Sequence, residues 1–380
     1  MGNDVLQQNT IVCSPTSKYT VHNIIGTGNF SRVYSALVVG TGNEVVIKVL
    51  NETCSSKRFD RKLYFKELGL LNQLKISRLR ARYVQVIDAF LLKSGKLCFV
   101  MERLGSTLHS VLRNIGPLPI AICRSIVRQI AQGTCTTAII IFETRAKHES
   151  KCTAMTDVVL SVSLHRRLGL AGLKCLGIVH ADLKPDNIMF CSGTAHNLLV
   201  KIIDFGCAFD IKKVKTMHHK QIQAVPYRAP EVCFRSNLDH GLDIWALGCI
   251  MPEIVTGVKL FGVAEEELLI KMIIRTRPVP KSLISNLPTD SQETNLTVGW
   301  IQFQNLYADL ISQHDQQWCD DIMWFMDLVY KMLIVMPETR ITAVDALAHP
   351  FLTIVHFIDY PNTVMTKKNA ELMASCVLDI

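Results

Sequence analysis

The chain has 380 residues, 41 Lys and Arg against 33 Asp and Glu, a formal net charge of +8 and 49% hydrophobic residues. That length can bury a sizeable core, and the composition excludes a disordered tail protein, which needs low hydrophobicity and high net charge. Apolar runs such as 244–251 stop well short of the ~20 residues of a bilayer span, and residues 1–9 lack the basic start and apolar stretch of a secretory signal.

Residues 1–18 are polar and read as an N-terminal arm. Three β-rich runs follow, 21–25, 33–39 and 44–50, separated by Gly26-Thr27-Gly28 and Gly40-Thr41-Gly42. Residues 59–75 read as a helix, with Leu63, Leu70, Leu71 and Leu74 near helical spacing. Two more strands are predicted at 84–91 and 97–102. The expectation is an α+β fold, with a small lobe of five strands and one main helix over 19–101. After Gly105 the pattern is mainly helical to Leu352, punctuated by Pro337 and Pro350, and 353–380 read as a tail. Thirteen cysteines are scattered without a Cys-x-x-Cys pair or a Cys/His cluster. That usage reads as reduced thiols in cytosol or nucleus and argues against structural zinc.

Gly26-Thr27-Gly28-Asn29-Phe30-Ser31-Arg32-Val33 lies between two predicted strands. Glycines there let backbone N–H groups approach phosphate oxygens, although such a run read alone is only a turn. Val45-Val46-Ile47-Lys48 ends an apolar strand on a lysine. The lysine either reaches solvent or needs a buried partner, and Glu67 in the predicted helix could supply one. The strongest signal is His180-Ala181-Asp182-Leu183-Lys184-Pro185-Asp186-Asn187, followed by Asp204-Phe205-Gly206 and Tyr227-Arg228-Ala229-Pro230-Glu231. Asp182 can orient a substrate hydroxyl and accept its proton, Lys184 can hold a transferring phosphoryl group, and Asn187 and Asp204 offer hard oxygen ligands for Mg²⁺.

These motifs, in this order, resemble the eukaryotic protein kinases from about residue 19 to 352. Within them, "GIVHADLKPDNIMF", "VKIIDFGCAF" and "GPLPIAICRSIVRQIAQG" are similar to the homeodomain-interacting and dual-specificity tyrosine-regulated kinases. The resemblance implies a bilobal fold, with a hinge at 102–105 and a large lobe at 106–352. It also implies transfer of the ATP γ-phosphate to protein hydroxyls. Ile25, Gly26, Thr27, Gly28, Asn29, Phe30, Ser31, Val33, Val46 and Lys48 would line the nucleotide site, with Met101 as gatekeeper and backbone groups of Glu102 and Leu104 on adenine. Lys48, Glu67, Asp182, Lys184 and Asn187 would be catalytic, and Asn187 and Asp204 would hold Mg²⁺. Lys184, two residues after Asp182, matches the serine/threonine pattern. Glu231 would pair with Arg340, and Asp243 would brace the catalytic loop.

Four departures stand out. Ser31 replaces the third glycine, Val46 replaces the usual alanine over adenine, Gln221 replaces an autophosphorylated tyrosine, and Val225 replaces an arginine that would receive its phosphate, leaving Arg228. Residues 134–169 match nothing in the family, and joining Gly133 to Leu170 restores one amphipathic helix with Ile126, Val127, Ile130, Leu173 and Leu176 facing the core. The segment reads as a splice or gene-structure artefact, with a genuine extruded loop as the alternative. A pseudokinase scaffold is the alternative to activity. The basic run 57–82 and the lysines of the activation segment read as solvated surface or as a docking face for an acidic partner. Substrates with Pro after the acceptor are the family expectation. The remaining expectations are a monomer in nucleus or cytoplasm, with no membrane association and no direct nucleic-acid binding.

Overall fold

The structure, a computed structural model, describes residues 6–28, 31–51, 57–76, 80–134, 173, 176–191, 198–216, 222–284, 298–312 and 315–375. Asn29, Phe30, Gln221 and nearly all of 134–169 lie outside these residues. The described chain divides into a first unit that runs to Gly105 and takes in Ile203–Gly206, and a second that holds the remainder.

The first unit is an antiparallel sheet. Its strands are β1 Ile11–Cys13, β2 Lys18–Thr27, β3 Ser31–Val38, β4 Glu44–Leu50, β5 Val86–Leu91 and β6 Leu97–Glu102. They run in the order β1-β2-β3-β4-β6-β5, so the sheet has six strands rather than the five expected. The extra strand comes from the segment read as an arm, where Ile11 pairs with Thr20 and Cys13 with Lys18. Three residues are too few to show an alternating pattern in a sequence.

Alternation on β4 sorts its side chains by face. Val45, Ile47 and Val49 enter a core with Tyr19, Val21, Tyr34, Ala36, Cys98 and Val100. The next residues on the strand, Val46 and Lys48, take the opposite face. The first helix, α1 Lys57–Ile76, contributes Tyr64 to a second core with Leu97 and Phe99. Tyr64 stacks on Phe99 with ring centroids 4.5 Å apart. Tyr64, Glu67, Leu71 and Leu74 recur at helical spacing and are buried, which turns Glu67 inward. Leu63 lies outside the described side chains.

Among the described residues of the second unit, the helices of eight residues or more are α2 Leu108–Ile115, α3 Ile120–Thr134, α4 Gly241–Thr256, α5 Glu266–Thr276, α6 Val298–Ser312, α7 Gln316–Met332 and α8 Val364–Ser375. Two short ribbons join them, β7 Ile178–Val179 with β10 Phe209–Asp210, and β8 Ile188–Phe190 with β9 Val200–Ile202. Helix α4 is buried on all sides from Leu242 to Ile254, as its apolar sequence requires. On α3, Ile126, Val127 and Ile130 are buried, as is Leu173, whereas Leu176 is half-buried.

The stretch read as a C-terminal tail is packed into this unit. Ile354, Phe357 and Met373 form a small core with Met365 and Ala370. Arg124 on α3 donates to the Phe351 carbonyl at 2.8 Å and bonds Asp321 on α7 and Asn369 on α8. Pro337–Asp359 has the length and mean hydropathy of a bilayer span, 23 residues at 1.5. It is broken into short helices and turns that bury Phe351, Leu352 and Ile354.

Candidate active site

In the first unit the Lys48 ammonium lies 2.9 Å from Glu67 Oε1 and 3.0 Å from Asp204 Oδ1. Lys48 and Glu67 are 8% and 7% exposed, so of the two readings the buried pair holds and the solvent-reaching lysine does not. Burial alone would lower the Lys48 pKa. The Glu67 carboxylate, and then that of Asp204, more than offset it, and the pKa is raised. The Asp204 side chain is half exposed, and its backbone sits at φ 60°. Left-handed backbone is costly for a residue other than glycine and recurs at functional sites. Next to it, Phe205 is buried edge-on against Tyr83, with centroids 5.9 Å apart.

The glycine run opens from the β2–β3 hairpin. Gly28 donates its N–H to the Ser31 carbonyl at 2.8 Å, and Asn51 Nδ2 donates to the Gly28 carbonyl at 3.2 Å. Neither Gly26 nor Gly28 has positive φ. A Cβ on Gly28 would meet only the Ser31 carbonyl, at 3.8 Å. Among the described residues, packing does not require glycine at position 28. Ser31 is already part of β3 and pairs with Leu50, which explains how a side chain is accommodated there. Val33 pairs with Lys48 and Val46 with Met101. Glu102 closes β6 by accepting the Gln85 N–H on Oε1 at 2.7 Å and donating its own N–H to the Gln85 carbonyl at 3.1 Å. Leu104 is buried, while Ile25 and Thr27 are exposed.

In the second unit, β7 delivers the chain to His180. Asp243, in the first turn of α4, accepts the His180 N–H at 2.8 Å and the Ala181 N–H at 3.0 Å. Burial raises the Asp243 pKa, and the His180 side chain and the two amides pull it back. Ala181 sits at φ 61°. Asp182 Oδ2 receives Lys184 Nζ at 2.8 Å and Asn187 Nδ2 at 3.1 Å; that same nitrogen also donates to the Asp182 carbonyl at 2.8 Å. Both side-chain donors therefore take one carboxylate oxygen, and among the described residues none is seen donating to Oδ1. Asn187 is buried in the turn Pro185–Asn187, with its amide nitrogen spent on Asp182.

Beyond the loop, Glu231 and Arg340 form the expected pair, at 2.7 and 2.8 Å. Arg228 is not the open phosphate receiver that the resemblance left it as. Its guanidinium bonds Glu266 at the start of α5 and donates to the carbonyls of Ile222 and Gln223 at 3.1 and 2.9 Å. Sequence reasoning missed Glu266, Gln223 and Glu253. Glu253 accepts the Tyr227 hydroxyl at 2.7 Å inside α4. The one available signal was a glutamate in the otherwise apolar run 244–254, which demands a partner.

The sequence matches the Protein kinase domain family over residues 19–136 and 144–352. Among curated proteins it is 27% identical to Homeodomain-interacting protein kinase 2 of Mus musculus over 99% of this chain and 31% of that protein. It is 28% identical to Serine/threonine-protein kinase prpf4B of Dictyostelium discoideum over 88% of this chain and 40% of that one. It is also 27% identical to DYRK-family kinase pom1 of Schizosaccharomyces pombe, over 92% and 29%. The chain thus spans about a third of the length of the relatives it matches first. The Lys48–Glu67 pair, the Asp182 cluster braced by Asp243 and the Glu231–Arg340 clasp all fall inside the matched residues, and the chain belongs to the protein kinase domain family.

Proposed function

We propose that the chain is a serine/threonine protein kinase that transfers the ATP γ-phosphate to protein hydroxyls. The observation that carries this reading is the Asp182 carboxylate. Lys184 and Asn187 fix one of its oxygens, and Asp243 braces the two amides that precede it. Asp182 Oδ1 orients the substrate hydroxyl and takes its proton as the new oxygen–phosphorus bond forms and ADP leaves.

Magnesium-bound ATP supplies the phosphoryl group. The residues fit it by donor chemistry, since Asn187 Oδ1 and the Asp204 carboxylate are hard oxygens of the kind Mg²⁺ selects. Backbone amides in the run 26–31 and the Lys48 ammonium would hold phosphate oxygens, with Glu67 keeping Lys48 charged. Backbone groups of Glu102 and Leu104 would hold the base, with Val46 and Met101 lining its site. Lys184 steadies negative charge during transfer. Substrates are proteins in this reading, selected in part where Val225–Tyr227 form a turn ahead of Arg228, and the enzyme acts in nucleus or cytoplasm.

Labelled phosphate incorporation into a generic basic protein, wild type against Asp182→Asn, tests the reading. Transfer by the wild type and its loss in the variant is the expected result. No transfer by the wild type overturns it in favour of a pseudokinase, a nucleotide-binding or scaffold module.

A further inference from the structure

We infer that Gln223 is a positioning residue that latches the activation segment onto the catalytic loop without any phosphate. The inference rests on the kinase reading of the Asp182 site and adds a device to it.

Gln223 is 5% exposed, and each of its four polar groups has a partner. Its N–H donates to the Ala181 carbonyl at 3.0 Å. Its own carbonyl accepts Arg228 Nη2 at 2.9 Å. On the side chain, Oε1 accepts the Ala229 N–H and Nε2 donates to the Leu242 carbonyl, both at 2.9 Å. One residue thereby ties together three segments. Ala181 immediately precedes Asp182, Leu242 immediately precedes the bracing Asp243, and Ala229 immediately precedes the Pro230–Cys233 helix that carries Glu231.

The backbone supports the same reading. Gln223 and Ala181 both lie in the left-handed region, at φ 62° and 61°, and hydrogen-bond to each other. A conformation disfavoured for both residues persists only where surrounding contacts over-determine it. The side-chain bonds of Gln223 supply those contacts. Arg228 adds to the latch from its own segment, drawn to Glu266 in the first turn of α5 and to the carbonyls of Ile222 and Gln223. In many kinases a phosphate orders this region through arginines. Here Val225 cannot receive one, and Arg228 is already engaged.

Gln223→Glu offers a sharp test. A protonated glutamic acid keeps both an acceptor for Ala229 and a donor for Leu242, whereas the carboxylate loses the donor. Among the described residues, Arg228 bonds the Gln223 carbonyl, and His180, Asp182 and Asp243 adjoin its partners Ala181 and Leu242 in sequence. They are common to wild type and variant, so the ratio of the two activities isolates residue 223. We expect Gln223→Glu, a carboxylate at neutral pH, to lower kcat about tenfold with KM for ATP little changed. Gln223→Met, which has neither the donor nor the acceptor, should fall in the same way. Equal kcat for wild type and Gln223→Met, or a loss confined to KM for ATP, would overturn the inference. Hydrogen exchange at the Gln223 and Ala229 amides separates this from failure of the kinase reading. If the wild type transfers no phosphate, faster exchange at both amides in Gln223→Met still supports the latch, and unchanged exchange rejects it.

Discussion

Arg340 clasps Glu231 through two parallel hydrogen bonds, 2.7 and 2.8 Å long, with both side chains fully buried. The same guanidinium also donates to the carbonyls of Ile334, Val335 and Gly241 and lies 5.2 Å from the Trp245 ring centroid. Removing one partner would leave a buried charge without compensation. Arg340→Met should cost about 3–5 kcal/mol of stability. Arg340→Met combined with Glu231→Gln should cost less than the single change. Denaturant unfolding checks both, and a single-variant loss under ~1 kcal/mol would contradict the geometry.

The catalytic groups should fail in different ways. If Asp182 handles the hydroxyl proton as proposed, Asp182→Asn should lower turnover by roughly 10²–10⁴ while nucleotide still binds. Lys48→Met should weaken nucleotide binding and strand Glu67 without its cation. Asp204→Asn should weaken the metal dependence of binding as well as transfer. Nucleotide titrations with and without Mg²⁺, set beside turnover, resolve the three. Wild-type turnover in Asp182→Asn would remove that residue from the mechanism.

Burial pushes the Glu253 carboxyl up to about 7, against the pull of the Tyr227 hydroxyl. The folded pKa is raised, so Glu253 contributes stability that is fully present below its unfolded pKa of about 4.5. That contribution is lost as pH rises to about 7, and it amounts to roughly 3 kcal/mol across the window. Glu253→Gln keeps an acceptor for Tyr227 and does not titrate. The variant should gain on the wild type steadily from about pH 5 to pH 8 in unfolding experiments. Parallel stability curves would show that Glu253 titrates near its ordinary value.

The chain beyond Leu352 should be indispensable. Arg124 is wholly buried and takes Asn369 and Asp321 as partners, with Phe351 and Phe357 rings 4.6 and 5.4 Å from its cationic carbon. Gln317 donates to Thr366 Oγ1 at 2.7 Å, and His356 Nε2 is 3.0 Å from Asp321 Oδ1. Ending the chain at Leu352 strips these groups and opens the small core around Phe357. Asn369→Ala should cost about 2 kcal/mol. The truncated chain should fail to yield cooperatively folding protein in a thermal melt. A melt matching the full chain would mean that the segment is dispensable.

The groupings of Lys48 with Glu67 and Asp204, and of Asp182 with Lys184 and Asn187, were legible because the motifs fix residue type and order. The five longer strands and α1 were legible from period. Gln223 was not, since its role comes from a left-handed backbone and four bonds that no residue type announces. The network around Arg124 was hidden for a related reason. An arginine, an aspartate, a histidine and an asparagine spread from 124 to 369 declare nothing until the helices meet. β1 was too short to carry a pattern. The reading of 134–169 as foreign to the family is corrected by the family match, which leaves out only 137–143 of that segment.

Asp204 belongs to the first unit yet lies 156 residues after the lysine it pairs with. During synthesis the sheet and α1 leave the ribosome with only one of the two carboxylates that compensate their buried ammonium. A contact this distant in sequence is slow to close, and partly built domains expose sticky surface while they wait. The nascent first unit is therefore a predicted client for chaperones until Asp204 arrives.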